Sequence, residues 1–249
     1  MAGPVGELVT DRGPLAAPER ALVVCAHPDD VDFGAAGTVA ALVRVGCSVS
    51  YCLVTSGDAG DDDLTRSAEE LRELREAEQR AAAAAVGVED LTFLRHPDGM
   101  VVADLALRRD LARVIRRCRP ELVICQSPVR ILERIFASHP DHLAAGEATL
   151  CAVYPDARNP RAFPELLEEG HAPHTVPQVW LMAHPDPDLV VDVTETFADK
   201  MAALRAHASQ TGHRDGLDAM VSGWLAANAE GAGFDRGRLA EAFKVVPTA

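Results

Sequence analysis

The stretch ALVVCAHPDD, Ala21 to Asp30, runs from six consecutive apolar residues into a histidine, a proline and two carboxylates. A continuous apolar run closed by a turn signal is the pattern of a strand covered on both faces, as in a parallel sheet. Outward from it the alternation repeats. Gly37–Val45 is predicted as a helix stopped by Gly46, Ser48–Thr55 as a second strand, and Ser56–Thr65, rich in Gly and Asp, as a surface loop. Ser67 forms a capping box with Glu70 and opens a helix that runs to about Val86, before Gly87. Strand Leu91–Leu94, helix Asp104–Cys118, strand Glu121–Gln126 and a helix from about Asp141 to Val153 continue the pattern.

Strands alternating with helices predict an α/β fold: a single domain with a mostly parallel sheet flanked by helices. Residues 154–178 read as a long ordered loop. Trp180–Met182 and Leu189–Val193 then read as short strands, and Glu195–Ser209 and Gly216–Asn228 as helices, a small C-terminal strand/helix extension packed back on the sheet. One domain is expected over 1–249, with 1–19 a loosely ordered N-terminal segment. In open parallel sheets ligands bind beyond the carboxyl ends of the strands, so chemistry is expected in the segments just after them.

Composition narrows the function. A net charge of −14 on 249 residues disfavours nucleic acid and anionic membrane as partners. No stretch approaches the apolar length of a membrane span, and Met1–Arg20 has no signal-peptide core. The six cysteines form no CxxC pair and mostly sit in apolar runs, as expected of reduced thiols in the cytoplasm.

His-Pro-Asp occurs four times, beginning at His27, His96, His139 and His184. Three places after the histidine stand Asp30, Gly99, His142 and Pro187 respectively, so only the first and third copies offer two metal donors. Both follow predicted strands, which a parallel sheet can make neighbours. Two histidines and one carboxylate suffice for a catalytic zinc that keeps a position for water. His27, Asp30 and His142 are therefore assigned as ligands of one Zn²⁺ per chain, with Fe²⁺ or Co²⁺ able to occupy the same donors. Asp29 and His139 are left as the adjacent acid–base groups. His96, His184, His171 and His174 read as loop residues, and Trp180 and Trp224 as core. The GAAG stretch Gly34–Gly37 lacks the spacing of a nucleotide-binding loop.

AHPDD at Ala26–Asp30 with HPDH at His139–His142 resembles the PIG-L/LmbE-like family of zinc-dependent N-deacetylases. Arg75-x-x-Glu78, the PDGM of Pro97–Met100 and the HASQ of His207–Gln210 extend the likeness over most of the chain. The resemblance implies a Rossmann-like domain that removes the acetyl group from N-acetylglucosamine-type conjugates, a small-molecule glycoconjugate substrate. It places the metal on His27, Asp30 and His142. Asp29 falls on the general base, and His139 on the group that stabilises the oxyanion and protonates the leaving amine. Arg75, Asp98 and Asp58 match substrate-facing positions. Some members carry a tyrosine where this chain has Ala137. An amidase cleaving a mycothiol-type conjugate or a longer acyl chain shares these residues. A non-catalytic sugar-binding protein would be expected to have lost a ligand or the base. The oligomeric state is left open, a homo-oligomer included.

Overall fold

The computed structural model describes residues 6–63 and 65–249, and within it the apolar runs form one nine-stranded sheet. The strands are β1 (Glu7–Thr10), β2 (Gly13–Ala16), β3 (Arg20–Cys25), β4 (Ser48–Leu53), β5 (Asp90–Phe93), β6 (Leu122–Gln126), β7 (Gln178–Met182), β8 (Leu189–Asp192) and β9 (Ala240–Pro247). Their order across the sheet is β2-β1-β8-β9-β7-β6-β3-β4-β5. The five strands from β7 to β5 are parallel, and β9, β8, β1 and β2 extend them antiparallel.

The helices are α1 (Asp30–Gly34), α2 (Ala36–Arg44), α3 (Ala68–Ala85), α4 (Leu105–Cys118), α5 (Pro140–Cys151), α6 (Glu165–Glu168), α7 (Phe197–Ala206), α8 (Ala208–Thr211) and α9 (Leu217–Gly231). The central strand shows why its sequence is unbroken in apolarity. Ala21, Val23 and Cys25 pack in one core with residues of α2, α3 and α7, while Leu22, Val24 and Ala26 pack in a second with α4 and α5. Period-two alternation thus feeds two apolar layers, and neither face can be polar.

From β3 the chain proceeds through β4 to β5 on one side, and β6 with β7 lies on the other. The order reverses between β3 and β6, the place where open α/β sheets leave a crevice beyond the strand ends. The Gln126 side chain clasps this point, its Oε1 accepting the Ala26 N–H at 2.9 Å. At Gly146 a Cβ would fall on the Gln126 carbonyl, so α5 can lie this close to the end of β6 only with glycine there.

Two expectations are corrected, and one strand is added to those read from the sequence. Residues 7–16 are a hairpin, held by β1–β2 pairing and by Thr10 opposite Val191, rather than a loose segment; residues 1–5 of that segment lie outside those described. The segment Ala240–Pro247 is a strand inserted between β7 and β8; its buried Glu241 hid it from a reading by apolar runs. Trp224, expected in the core, is 48% exposed on α9, whereas Trp180 is buried. The end of the expected loop 154–178 is nearly as read, with the short α6 inside it. Among the described residues no helix is long and apolar enough to cross a membrane.

Glu241 has a use that explains its burial. Its carboxylate accepts the N–H groups of Gly37 and Thr38 at 3.0 and 2.7 Å, filling the unsatisfied donors at the start of α2. It also pairs with Lys200 at 2.7 Å, and Lys200 donates to the carbonyls of Asp32 and Phe33 at 2.8 and 2.7 Å. One ion pair, wholly inside the protein, therefore ties β9 and α7 to the segment that follows His27. Removing one partner of a buried pair strands the other charge, so Glu241→Ala is expected to cost about 3–5 kcal/mol in denaturant unfolding. An unchanged midpoint would show that the pair does not anchor this segment.

Candidate active site

Beyond the ends of β3 and β6, the first and third His-Pro-Asp copies meet. Pro28 keeps the chain extended after His27, and Asp29 turns into the left-handed region at φ 84° before α1 begins. Asp30 then folds back: its Oδ2 accepts the His27 N–H at 2.7 Å and lies 3.3 Å from His27 Nδ1. From the other side, His139 caps α5, with Pro140 as its first residue and Nδ1 accepting the Asp141 N–H at 3.2 Å. One turn on, His142 Nε2 reaches Asp30 Oδ1 at 3.0 Å. The three imidazoles stand 5.0–5.4 Å apart, centroid to centroid.

Around His27 the second nitrogen, Nε2, faces Asp98 at 2.9 Å and Asp141 at 3.3 Å. Asp98 accepts the Ala59 N–H, and Asp141 accepts those of Gly99 and Val101 at 2.7 and 3.2 Å. The PDGM stretch, Pro97 to Met100, which overlaps the second His-Pro-Asp copy, thereby becomes a wall of the site, though His96 itself turns away to Asp110. Donor atoms of His27, His139 and His142, and of His27, Asp98 and Asp141, lie within 4.8 Å of one another. Asp30 joins His27 to His142, so the set read from sequence is also brought together.

The electrostatics follow from this crowding of carboxylates. Burial opposes a charge on His27, but hydrogen bonds to Asp141, Asp30 and Asp98 outweigh it and push its pKa up to about 12. Burial likewise opposes ionisation of Asp30, yet His142 and His27 hold it well below the usual carboxylate range. Asp29 is the exception. Burial and the neighbouring Asp30 charge push it up to about 7, against the pull of Arg75. His139 moves down, chiefly through burial and then the charge of His27, so its imidazole is neutral near pH 7. With Nδ1 occupied as an acceptor, its proton sits on Nε2.

Arg75, Asp58 and Asp98, matched in sequence to substrate-facing positions, are engaged as well. Arg75 on α3 is buried, donates to the carbonyls of Pro28 and Gly57 at 2.8 and 3.1 Å, and lies 3.4 Å from Asp29 Oδ2. Asp58 pairs with Arg72 at 3.0 Å, and Asp98 is on His27. Two flanking segments carry exposed apolar side chains, Met100, Val102 and Leu105 on one and Val129, Leu132, Ile135 and Phe136 on the other.

Residues 22–153 match the family described as GlcNAc-PI de-N-acetylase, PIG-L. This chain belongs to the PIG-L family. It is 31% identical over 192 residues to a diacetylchitobiose deacetylase of Thermococcus kodakarensis, covering 77% of this chain and 70% of that protein. It is 30% identical over 237 residues to the 1D-myo-inositol 2-acetamido-2-deoxy-alpha-D-glucopyranoside deacetylase of Actinosynnema mirum, covering 79% and 82%. The solved structure of N,N'-diacetylchitobiose deacetylase from Pyrococcus horikoshii superposes with a TM-score of 0.84 at 27% identity, over 93% of this chain and 85% of that one.

The PIG-L match holds both metal-type turns, Arg75 and Asp98, whereas His207, Lys200 and Glu241 lie beyond it. Reasoning from sequence missed Asp141, Gln79 and Asp32 as parts of the site. Gln79 had a signal: it stands one turn after Arg75 on a helix face that is buried though polar. Gly57 was passed over too. At φ +69° its Cβ would fall on the Arg75 guanidinium, so glycine is required there twice over. Gly57→Ala is expected to cost about 1–3 kcal/mol, roughly 2–4 °C of Tm per kcal/mol, in a thermal melt. An unshifted melt would show that Arg75 can leave its place freely.

Proposed function

We infer that the protein is a metal-dependent hydrolase that removes the N-acetyl group from N-acetylglucosamine-type conjugates. The observation that carries this reading is the Asp30 carboxylate spanning His27 and His142, with the raised Asp29 carboxyl next to it in the chain. His27, Asp30 and His142 would hold one divalent cation. The donor chemistry fits one. A metal-bound histidine usually gives its other ring N–H to a carboxylate, as His27 Nε2 can to Asp98 or Asp141. His142 is steadied by a hydrogen bond with the Ala137 backbone. Zinc suits this donor set, and Fe²⁺ or Co²⁺ can share it. When bound, such an ion lowers the pKa of water and polarises an amide carbonyl.

The remaining steps belong to the chain's own residues. Asp29 takes a proton from the attacking water, and a carboxyl near pKa 7 is well matched to that task. As the carbonyl oxygen gains charge, His139 Nε2–H is placed to hydrogen-bond to it, and the proton held by Asp29 passes to the nitrogen as the C–N bond breaks. Acetate and a free amine leave. Ala137 offers no hydroxyl, so His139 is the donor this reading relies on. Arg75 keeps the Asp29 carboxylate in place, and Asp98 orients His27.

The names of the relatives support an N-acetylglucosaminyl substrate. The exposed apolar residues beside the site, such as Met100, Leu132 and Phe136, favour a second reading, in which the acyl group or aglycone is large and apolar. The six free cysteines, none in a disulfide, support a reducing compartment such as the cytoplasm.

The test is amine release across a panel of N-acetylglucosaminyl conjugates by zinc-loaded and EDTA-treated protein. Release by the loaded protein alone is expected, and no release from any member would refute simple deacetylation. Asp29→Asn and His139→Ala are each expected to lower kcat by about 10²–10⁴-fold. Asp29→Asn should keep its zinc, measured by plasma emission. Normal turnover in either variant would overturn the role given to that residue.

A further inference from the structure

The HASQ stretch, His207 to Gln210, lies some 180 residues along the chain from the first His-Pro-Asp copy, yet it packs directly behind it. His207 stands between α7 and α8 and is completely buried, with Nε2 2.8 Å from Asp32 Oδ2. Asp32, on α1, is equally buried, and the same oxygen accepts Gln79 Nε2 at 3.0 Å. The other end of the Gln79 amide, Oε1, accepts the backbone N–H of Asp29 at 2.9 Å. A chain of three hydrogen bonds therefore runs from His207 through Asp32 and Gln79 to the main chain of Asp29.

The order of donors in this chain is forced. The Asp29 N–H can only donate, so it takes the Gln79 amide oxygen, and the NH₂ is turned toward Asp32, whose Oδ2 accepts it. Without Asp32 the amide could rotate and present a donor to a donor. His207 fixes Asp32 in turn. The end point is a residue that needs fixing, because a non-glycine residue at φ 84° is held only by its surroundings. The Asp29 carbonyl accepts the N–H groups of Asp32 and Phe33 at 2.9 and 3.0 Å, and Gln79 holds the other side of the same residue. The arrangement also leaves Asp32 Oδ1 and His207 Nδ1 buried without partners among the described residues. A core selected for stability alone would replace such a pair with apolar groups.

We propose that Gln79, oriented by the Asp32–His207 pair, is the positioning residue that holds Asp29 in the backbone conformation from which its carboxylate reaches the attacking water. This rests on Asp29 being the base, and none of the three residues touches substrate. Two readouts test it on the full-length, zinc-loaded chain. One is kinetics with N,N'-diacetylchitobiose, and the other is amide hydrogen exchange at Asp29 followed by NMR, which needs no substrate.

Gln79→Met is expected to lower kcat 10- to 100-fold with KM within twofold and zinc content unchanged, and to speed Asp29 amide exchange at least tenfold. His207→Leu should behave in the same way. His207→Gln, whose amide nitrogen can occupy the place of Nε2, should recover kcat to within threefold and restore slow exchange. A packing role alone would not produce that recovery. Should Gln79→Met fail to fold, the two His207 variants decide the matter by the same readouts. Wild-type exchange and kcat in folded Gln79→Met, beside an inactive Asp29→Asn, would overturn the positioning role alone. Wild-type turnover in Asp29→Asn would overturn the base assignment beneath it.

Discussion

One carboxylate holds two distant parts of the chain in register. Asp30 reaches back to His27 and across to His142, residues 115 positions apart in sequence, at 3.3 and 3.0 Å. Everything that positions the site serves this bridge. The bridge requires β3 and β6 to be neighbours, which the reversal of strand order provides. It requires α5 to approach the end of β6, which Gly146 permits. It also requires the segment after His27 to stay put, and the buried Lys200–Glu241 pair ties that segment to β9 and α7.

The same bridge explains the charge pattern. Three carboxylates, from Asp30, Asp98 and Asp141, converge on a single imidazole, and the nearest guanidinium, Arg75, is turned to Asp29 instead. Burying like charges together is costly without a compensating cation, since each remains poorly solvated. In the protein alone, His27 supplies that compensation by holding a proton. A divalent ion would take over that role, which is why the cluster reads as a metal site rather than as a salt-bridge network. Asp29 stays outside this compensation. Its pKa is raised by burial first and by the neighbouring Asp30 charge second, and its backbone stands at φ 84°.

Much of this was legible in the sequence because it depends on local spacing. The apolar run from Ala21 to Ala26 could only be a strand covered on both faces, and the residue three places after each histidine separated two donor-bearing turns from two others. The capping box at Ser67 and Glu70 placed the start of α3 correctly. What stayed hidden depends on contacts between segments far apart. β9 carries a buried glutamate whose partners, the start of α2 and Lys200, appear only once the chain has folded. The β1–β2 hairpin is short and its apolar residues are few, so its anchoring on β8 left no periodic trace. The sequence matches Asp98 only to a substrate-facing position and gives Asp141 only as the start of a helix, because nothing local reveals that both face the same nitrogen of His27. His207 could be singled out by motif but not explained, since its partner Asp32 lies 175 positions away.

On the proposed function, Asp30, His27 and His142 together hold a single divalent cation. Zinc titration of the metal-stripped protein, with bound metal counted by plasma emission after gel filtration, tests it most directly. One tightly bound zinc per chain is expected in the wild type, and loss of that zinc in Asp30→Ala with the fold intact by circular dichroism. A wild-type chain that retains no zinc, or an Asp30→Ala chain that retains it at full stoichiometry and affinity, would contradict the account.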